Sequence, residues 1–326
     1  MFRLGVDLGG TNIAVGIVNE DYQIIHKDSV PTGATRPAEE IVADIAALCK
    51  KVAADAGIAF SDVAAVGIAA PGSIDNKTGT VEYANNLPFR HFPIAALLRK
   101  NLSSDIPVFV ENDANAAAWG EAIAGAAKGT ADSVMVTLGT GVGGGVIIDN
   151  KLFTGFNGAG AELGHMVIVK DGVPCSCGRK GCWEAYSSAT ALIRMTNDKL
   201  AECAAQGRAT KMTELVELDG RTNGRTAFDS MRAGDAAASE VVKEYISYLA
   251  CGIANLINIF QPEILSIGGG VSGQGQYLLD QLLPCVANES YGADAADSSK
   301  ATKICIAKLG NDAGIIGAAV LGLDIA

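Results

Sequence analysis

The chain has 326 residues, 49% of them hydrophobic but only 6% aromatic, with 39 glycines and a formal net charge of -11. That length fits two domains, each with its own core, and the composition suits a soluble α/β enzyme better than a β-sandwich or a disordered chain. The negative balance and the lack of any Lys/Arg-rich run exclude a duplex-binding surface, so no nucleic-acid partner is expected, and an anionic ligand must be held locally by backbone dipoles and a metal ion.

The N-terminus enters a strand-like run at once, without the basic and apolar stretches of an export signal. The longest apolar runs, such as 314–323, are too short and too Gly/Ala-rich to span a bilayer, so a cytoplasmic protein with no membrane partner is expected. Leu4 to Val18 reads as strand, glycine turn, strand. Asp7 falls at the end of the first strand, and Gly9 and Gly10, followed by Thr11 and Asn12, allow a tight reversal and close approach of a ligand. A phosphate-binding hairpin and an ordinary glycine hairpin both fit this stretch.

A third strand spans roughly Gln23 to Val30, and Pro37 opens a helix with Ile41, Ile45, Leu48 and Val52 on one apolar face. Val63 to Ala69 is a short buried strand that runs into Gly72, a bend near a ligand or a plain turn. Ile106 to Val110 is another strand, followed by Glu111-Asn112-Asp113 and an Ala-rich helix from Ala114 to Ala127. Carboxylate and amide groups there sit where open α/β sheets bind ligands, although Asn112 or Asp113 would also serve simply as the helix N-cap.

Ser133 to Leu138 and Val146 to Asp149 are strands joined by a glycine loop from Gly139 to Gly145, with Thr140 inside it. Consecutive backbone N–H groups in such a loop can cradle a phosphate. No Gly-Lys-Ser/Thr follows and no helix starts there, so neither a Walker A loop nor a dinucleotide fingerprint is present. The repeat of strand, glycine turn and strand implies two related halves that close on a nucleotide. Helices are expected from Glu184 to about Ala205 and from Ala236 to Phe260, with a polar surface excursion around 218–224. Ile264 to Ile267 is a buried strand leading to Gly269 and Gly270, which could pass the adenine or ribose side of a nucleotide. Lys303 to Leu309 is a last strand, and Ala313 to Leu323 a last helix whose small residues permit close packing.

The most specific stretch is Gly160-Ala161-Glu162-Leu163-Gly164-His165, followed by Cys175-Ser176-Cys177-Gly178-Arg179-Lys180-Gly181-Cys182-Trp183-Glu184. His165, Cys175, Cys177 and Cys182 offer Zn²⁺ a complete tetrahedral shell with no open position for an activated water, so the metal is structural. The other five cysteines read as small core residues, and His26 and His91 as ordinary surface or boundary residues.

Together these motifs resemble the ROK family of sugar kinases, within the actin, Hsp70 and hexokinase superfamily, and among its members bacterial glucokinases most. The resemblance implies two ribonuclease-H-like α/β domains around a cleft: a small N-terminal one from 1–118 plus 311–326, and a large one from 119–310 that carries the zinc segment. It implies transfer of the γ-phosphoryl group of ATP to the 6-hydroxyl of an aldohexose. Asp113 would be the general base. Asn112, Glu162, His165 and Glu184 would bind sugar hydroxyls, with Gly72 from the backbone and Asn86 as a weaker contact. Asp7, through water, would hold Mg²⁺. Gly9, Gly10, Thr11, Asn12, Gly139, Thr140, Gly141, Gly143, Gly144, Gly269 and Gly270 would surround the nucleotide.

Glucose leads as the sugar, with N-acetylmannosamine, N-acetylglucosamine, fructose, allose and mannose as alternatives, and polyphosphate as a possible donor. A homodimer or higher homo-oligomer, formed through the large domain, is expected from the resemblance alone. The family also holds transcriptional repressors with an N-terminal helix-turn-helix, for which a phosphate hairpin starting at Leu4 leaves no room. A binding-only sugar sensor would not need Asp113 together with both glycine turns.

Overall fold

Alternating apolar residues in the first thirty positions build a meander of β1 (Phe2–Leu8), β2 (Asn12–Val18) and β3 (Ile24–Pro31). The structure is a computed structural model that describes residues 1–291 and 300–323; the last three residues of the segment 311–326 therefore lie outside the described residues. Leu4, Val6 and Leu8 point to one face of the meander and are fully covered, as the two-residue period of a strand requires. That face is packed by α1 (Ala38–Asp55), whose Ile41, Ile45, Leu48 and Val52 are all buried.

The sheet is completed by β4 (Val63–Ala70) and β8 (Val108–Asn112), in the order β3-β2-β1-β4-β8. Strands β1, β4 and β8 are parallel, with Asp7 level with Ala69 and Ala70 level with Asn112. Their carboxyl ends therefore line up along one edge. Gly9, Gly72 and Asp113 each lie within two residues beyond one of those ends, which is where open α/β sheets present ligand-binding groups.

Between β4 and β8 lies a small antiparallel sheet of β5 (Ser73–Asp75), β6 (Thr80–Tyr83) and β7 (Arg90–Phe92), followed by α2 (Ile94–Leu102). After β8 comes α3 (Asp113–Ala124). A second five-stranded sheet has the order β11-β10-β9-β12-β13, built from β9 (Ser133–Leu138), β10 (Val142–Ile148), β11 (Lys151–Leu152), β12 (Ile264–Gly268) and β13 (Lys303–Ile306). Counted along the chain, both five-stranded sheets run third, second, first, fourth, fifth. This shared order bears out the two ribonuclease-H-like halves.

The helices of the second half are α4 (Glu184–Ser187), α5 (Ala189–Ala205), α6 (Lys211–Asp219), α7 (Thr226–Arg232), α8 (Ala236–Phe260) and α9 (Gln276–Glu289). The expected helix from Glu184 is interrupted at Ser188, whose hydroxyl caps α5 by accepting from the Ala191 N–H at 3.1 Å. The polar excursion near 218–224 is the turn between α6 and α7. Strand β10 starts at Val142, so Gly143 to Gly145 are strand residues and the glycine loop shrinks to Gly139–Gly141. The last strand stops at Ile306, short of the expected Leu309.

By contacts the chain divides into one unit of 1–135, 145–161 and 308–326 and another of 136–144 and 162–307. In the first, the opposite face of the leading sheet carries α10 (Ala313–Ala319) and α3. Small residues bring α10 almost onto the sheet: a Cβ on Gly67 would lie 1.7 Å from the Ala318 carbonyl oxygen. Gly67→Ala must push α10 off β4, an overpacking cost of about 1–3 kcal/mol, and should lower the melting temperature by several degrees in a thermal scan. An unchanged melt would mean α10 is free to shift. Among the described residues no helix is long and apolar enough to cross a membrane.

Candidate functional site

The first group of site residues lies in the unit containing the leading sheet. Strand β8 ends on Asn112, whose side-chain oxygen caps α3 by accepting from the backbone N–H groups of Ala114 (3.0 Å) and Asn115 (3.2 Å). Its amide donates to the Gly72 carbonyl at 3.0 Å, so β8 and the bend after β4 are tied together. The N-cap reading of Asn112 thus holds, and one amide hydrogen remains to it for a ligand. Asp113 occupies the first turn of α3 with its side chain exposed, where the helix dipole favours negative charge, and takes the Ala114 N–H at 2.8 Å.

Glu111, to which the sequence reading assigned no role, anchors this corner. It is buried, and its carboxylate accepts from the Asn112 N–H (2.9 Å), the Asn115 amide (3.1 Å) and the Asn76 amide (3.1 Å). Its place at the strand end beside Asn112 and Asp113 was the available signal. Three charge-assisted bonds to a buried carboxylate make the corner rigid.

Asp7 stands at the carboxyl end of β1, and its carboxyl is pushed up to about 6, first by burial and then by the charge of Asp113. The two carboxylates are therefore electrostatic neighbours. The turn beyond Asp7 is closed by the Gly9 N–H donating to the Asn12 carbonyl at 2.9 Å. Exposed Asn86 sits beside Gly10, its Cβ 3.7 Å from where a Gly10 side chain would begin. Asp7, Gly9, Gly10, Thr11, Asn12, Gly72, Asn86, Asn112 and Asp113 all belong to this unit.

The second group lies in the other unit. The second glycine turn closes through the Gly139 N–H donating to the Gly141 carbonyl at 3.0 Å. The start of α5 braces it, with the Ala189 N–H on the Gly139 carbonyl and the Thr190 hydroxyl on the Thr140 carbonyl, both at 2.8 Å. Gly269 follows β12 and lies against Leu138 at the end of β9, while Gly270 opens a short 3-10 turn. Gly143 and Gly144 are strand residues of β10.

Close to that turn, the segment Cys175–Cys182 folds as a tight knuckle, with the Cys175 N–H on the Arg179 carbonyl (2.8 Å) and the Gly178 N–H on the Cys175 carbonyl (3.0 Å). Trp183, fully buried, donates its indole N–H to the Tyr248 carbonyl at 3.0 Å and so pins the knuckle to α8. His165, Cys175, Cys177 and Cys182 converge, their ligand atoms all within 4.8 Å of one another. The Cys177–Cys182 sulfur separation and the Cys175 sulfur to His165 Nδ1 separation are both 3.7 Å. A tetrahedron with metal–sulfur bonds of about 2.3 Å and metal–nitrogen bonds of about 2.0–2.1 Å has edges of about 3.5–3.8 Å. Three thiols and one imidazole suit Zn²⁺, and these two separations have that edge length, while the set as a whole lies within 4.8 Å.

Glu184 joins the knuckle to the glycine turn. One carboxylate oxygen accepts from the Ser176 hydroxyl at 3.1 Å and the Cys175 thiol at 3.5 Å, and the other accepts from the Val142 N–H at 3.1 Å. The resemblance assigns Glu184 to the sugar, and nothing in the linear pattern signals its bond to Val142. Glu162 stands outside this cluster: its side chain is exposed, and its carbonyl accepts from the His165 N–H at 3.1 Å.

The ROK family pattern matches residues 3–325. Glucokinase of Streptomyces coelicolor is 37% identical over 98% of this chain and 97% of its own length. That of Thermotoga maritima is 37% identical over 97% and 95%. A ROK family glucokinase from Streptomyces griseus, solved with glucose and AMPPNP, superposes with a TM-score of 0.81 at 38% identity, covering 98% of this chain and 99% of that one. With its two ribonuclease-H-like halves of the actin, Hsp70 and hexokinase type, the chain belongs to the ROK family.

Proposed function

We propose that the protein phosphorylates a hexose at its 6-hydroxyl with ATP, glucose being the first candidate. The observation that carries this reading is the exposed Asp113 carboxylate at the head of α3, beside the half-buried Asp7 carboxyl at the end of β1. A primary alcohol is too weak an acid to ionise at neutral pH, so a carboxylate in hydrogen-bond reach must take its proton as the oxygen attacks phosphorus. Asp113 has the exposure for that task. The proton moves to a carboxylate oxygen of Asp113 while the sugar oxygen forms its bond to the γ-phosphorus and the bond to the β,γ-bridging oxygen breaks.

Asn112, fixed by Gly72 and Glu111, would present its remaining amide hydrogen to a sugar oxygen. Glu162, Glu184 and the Nε2 side of His165 would meet the hydroxyls near the anomeric end. Backbone N–H groups of the two glycine turns would receive the phosphates, since a net-negative chain offers no general attraction to them. Mg²⁺, when bound, would neutralise charge on the phosphates, with Asp7 as its anionic partner through water.

Zn²⁺ on His165, Cys175, Cys177 and Cys182 would act as a brace that sets Glu184 and His165. Chelation, or Cys177→Ser, is expected to lower thermal stability and sugar affinity together, the latter by about 10-fold or more. A zinc-free preparation by metal analysis that melts and binds sugar normally would end that assignment.

The reading is tested by coupled ADP release across a panel of hexoses and aminosugars, with polyphosphate run against ATP as donor. Turnover with glucose above the other sugars is the expected result. Sugar binding without turnover on any member of the panel would replace the kinase by a sugar-binding regulator.

A further inference from the structure

Thr32 lies one residue beyond β3, outside every motif of the sequence, and is completely buried. Its hydroxyl donates to the Gly9 carbonyl at 2.7 Å, and its backbone N–H donates to the Thr11 carbonyl at 2.8 Å. Both bonds end on the first glycine turn, one on each side of Gly10. The Thr32 carbonyl is held in turn by the Arg36 Nε–H at 2.9 Å. Arg36 is itself placed by its backbone N–H on the Gly33 carbonyl (3.0 Å) and by an ion pair with Asp44 at 2.5 Å, a charge contact rather than an aligned hydrogen bond. Every polar group of Thr32 is therefore committed to holding the turn or to being held.

The consequence for a ligand follows from peptide geometry. A trans peptide points its C=O and the next residue's N–H in opposite directions, and no cis peptide occurs among the described residues. With the Gly9 and Thr11 carbonyls drawn toward Thr32, the N–H groups of Gly10 and Asn12 are turned away from it. Two donors oriented the same way by a buried brace are preorganised for an anion, which then need not order the turn on arrival. A glycine turn without such a brace would spend part of its binding energy on conformational entropy.

We infer that Thr32, backed by Arg36, is a positioning residue that holds the first glycine turn in its phosphate-receiving form. The inference rests on the kinase reading and names a device that reading does not contain. Thr32→Val keeps the shape and removes one hydrogen bond, leaving the Gly9 carbonyl without its buried partner; Thr32→Ser keeps the hydroxyl. A net hydrogen bond of about 1 kcal/mol corresponds to about fivefold in binding.

The test is calorimetric binding of ADP with Mg²⁺ to the full chain, alongside steady-state kinetics with ATP and glucose. Thr32→Val should weaken ADP binding about fivefold or more and lower kcat/KM for ATP by at least that factor. Glucose binding should stay within about twofold, and Thr32→Ser should restore nucleotide affinity. If the Val variant does not fold, Arg36→Met relaxes the brace from the other side and should move nucleotide affinity in the same direction. Unchanged ADP binding in a folded variant overturns the inference alone, as does equal weakening of nucleotide and sugar, which marks general loosening. Failure of the parent chain to bind any nucleotide overturns the kinase reading and the inference with it.

Discussion

An Asp113→Asn variant should bind glucose almost as the parent chain does and lose turnover by about 10²–10⁴-fold. Asparagine keeps the size of the side chain and can still accept the Ala114 N–H, so the head of α3 is retained. The rigid corner below it is untouched, because Glu111 and Asn112 carry those bonds. What disappears is the ability to take a proton from the sugar hydroxyl as the oxygen–phosphorus bond forms. The split matters for interpretation: a residue that only gripped the sugar would raise KM with little change in kcat. Calorimetry with glucose beside steady-state kinetics separates the two, and a kcat close to the parent value would sink the assignment of Asp113 as base.

The parts of the fold that could be read from sequence are those with long-range periodicity. Strands β1 and β2 alternate apolar residues around a glycine turn, and α8 repeats its apolar face over Ala236–Phe260. The small sheet β5-β6-β7 escaped notice because strands of three or four residues are too short to show a period. The glycine run 139–145 misled in the opposite way. Glycine signals a turn, yet Gly145 lies in a strand, and a Cβ there would come within 2.5 Å of the Ala118 side chain, so close packing and not a turn calls for glycine.

The site was legible to the same degree. Ligand spacing announced the Cys/His knuckle, since His165 and the three cysteines lie close together along the chain. Glu111 and Thr32 act through other residues, and each has a partner that only the tertiary fold brings near, Asn76 at 35 positions' distance and Gly9 at 23. Glu184 was recognised, but its bond to Val142, 42 positions earlier, was not. Residues that touch a ligand leave motifs, whereas residues that hold those motifs in place do not have to.

Asp7→Asn should lower turnover by about 10²–10³-fold and at the same time make the ligand-free protein more stable at neutral pH. Asp7 has its folded-state value raised from 3.8 to about 6, with burial the main cause and the Asp113 charge the second. For a raised value the sign is fixed. The favourable contribution of the neutral carboxyl is complete below about 4, fades as the pH climbs toward 6, and is gone above it, where the folded protein carries a poorly solvated charge. At about 1.4 kcal/mol for each of roughly two pH units, the ionised carboxylate costs the fold up to about 3 kcal/mol at pH 7.5. Asparagine removes that cost, so the variant should melt several degrees higher at pH 7.5 and no higher at pH 4. Nucleotide with Mg²⁺ should reverse the ranking, because only the parent chain retains an anionic partner for the cation and gains stability by binding it. Removing Asp113 as well should reduce the benefit of Asp7→Asn, since part of the strain on Asp7 is the neighbouring charge, and the two substitutions should not add. A destabilised Asp7→Asn variant at pH 7.5, or a gain that does not change with pH, would mean that ionised Asp7 costs the fold nothing, and fully additive substitutions at Asp7 and Asp113 would mean that the two carboxylates do not share a field.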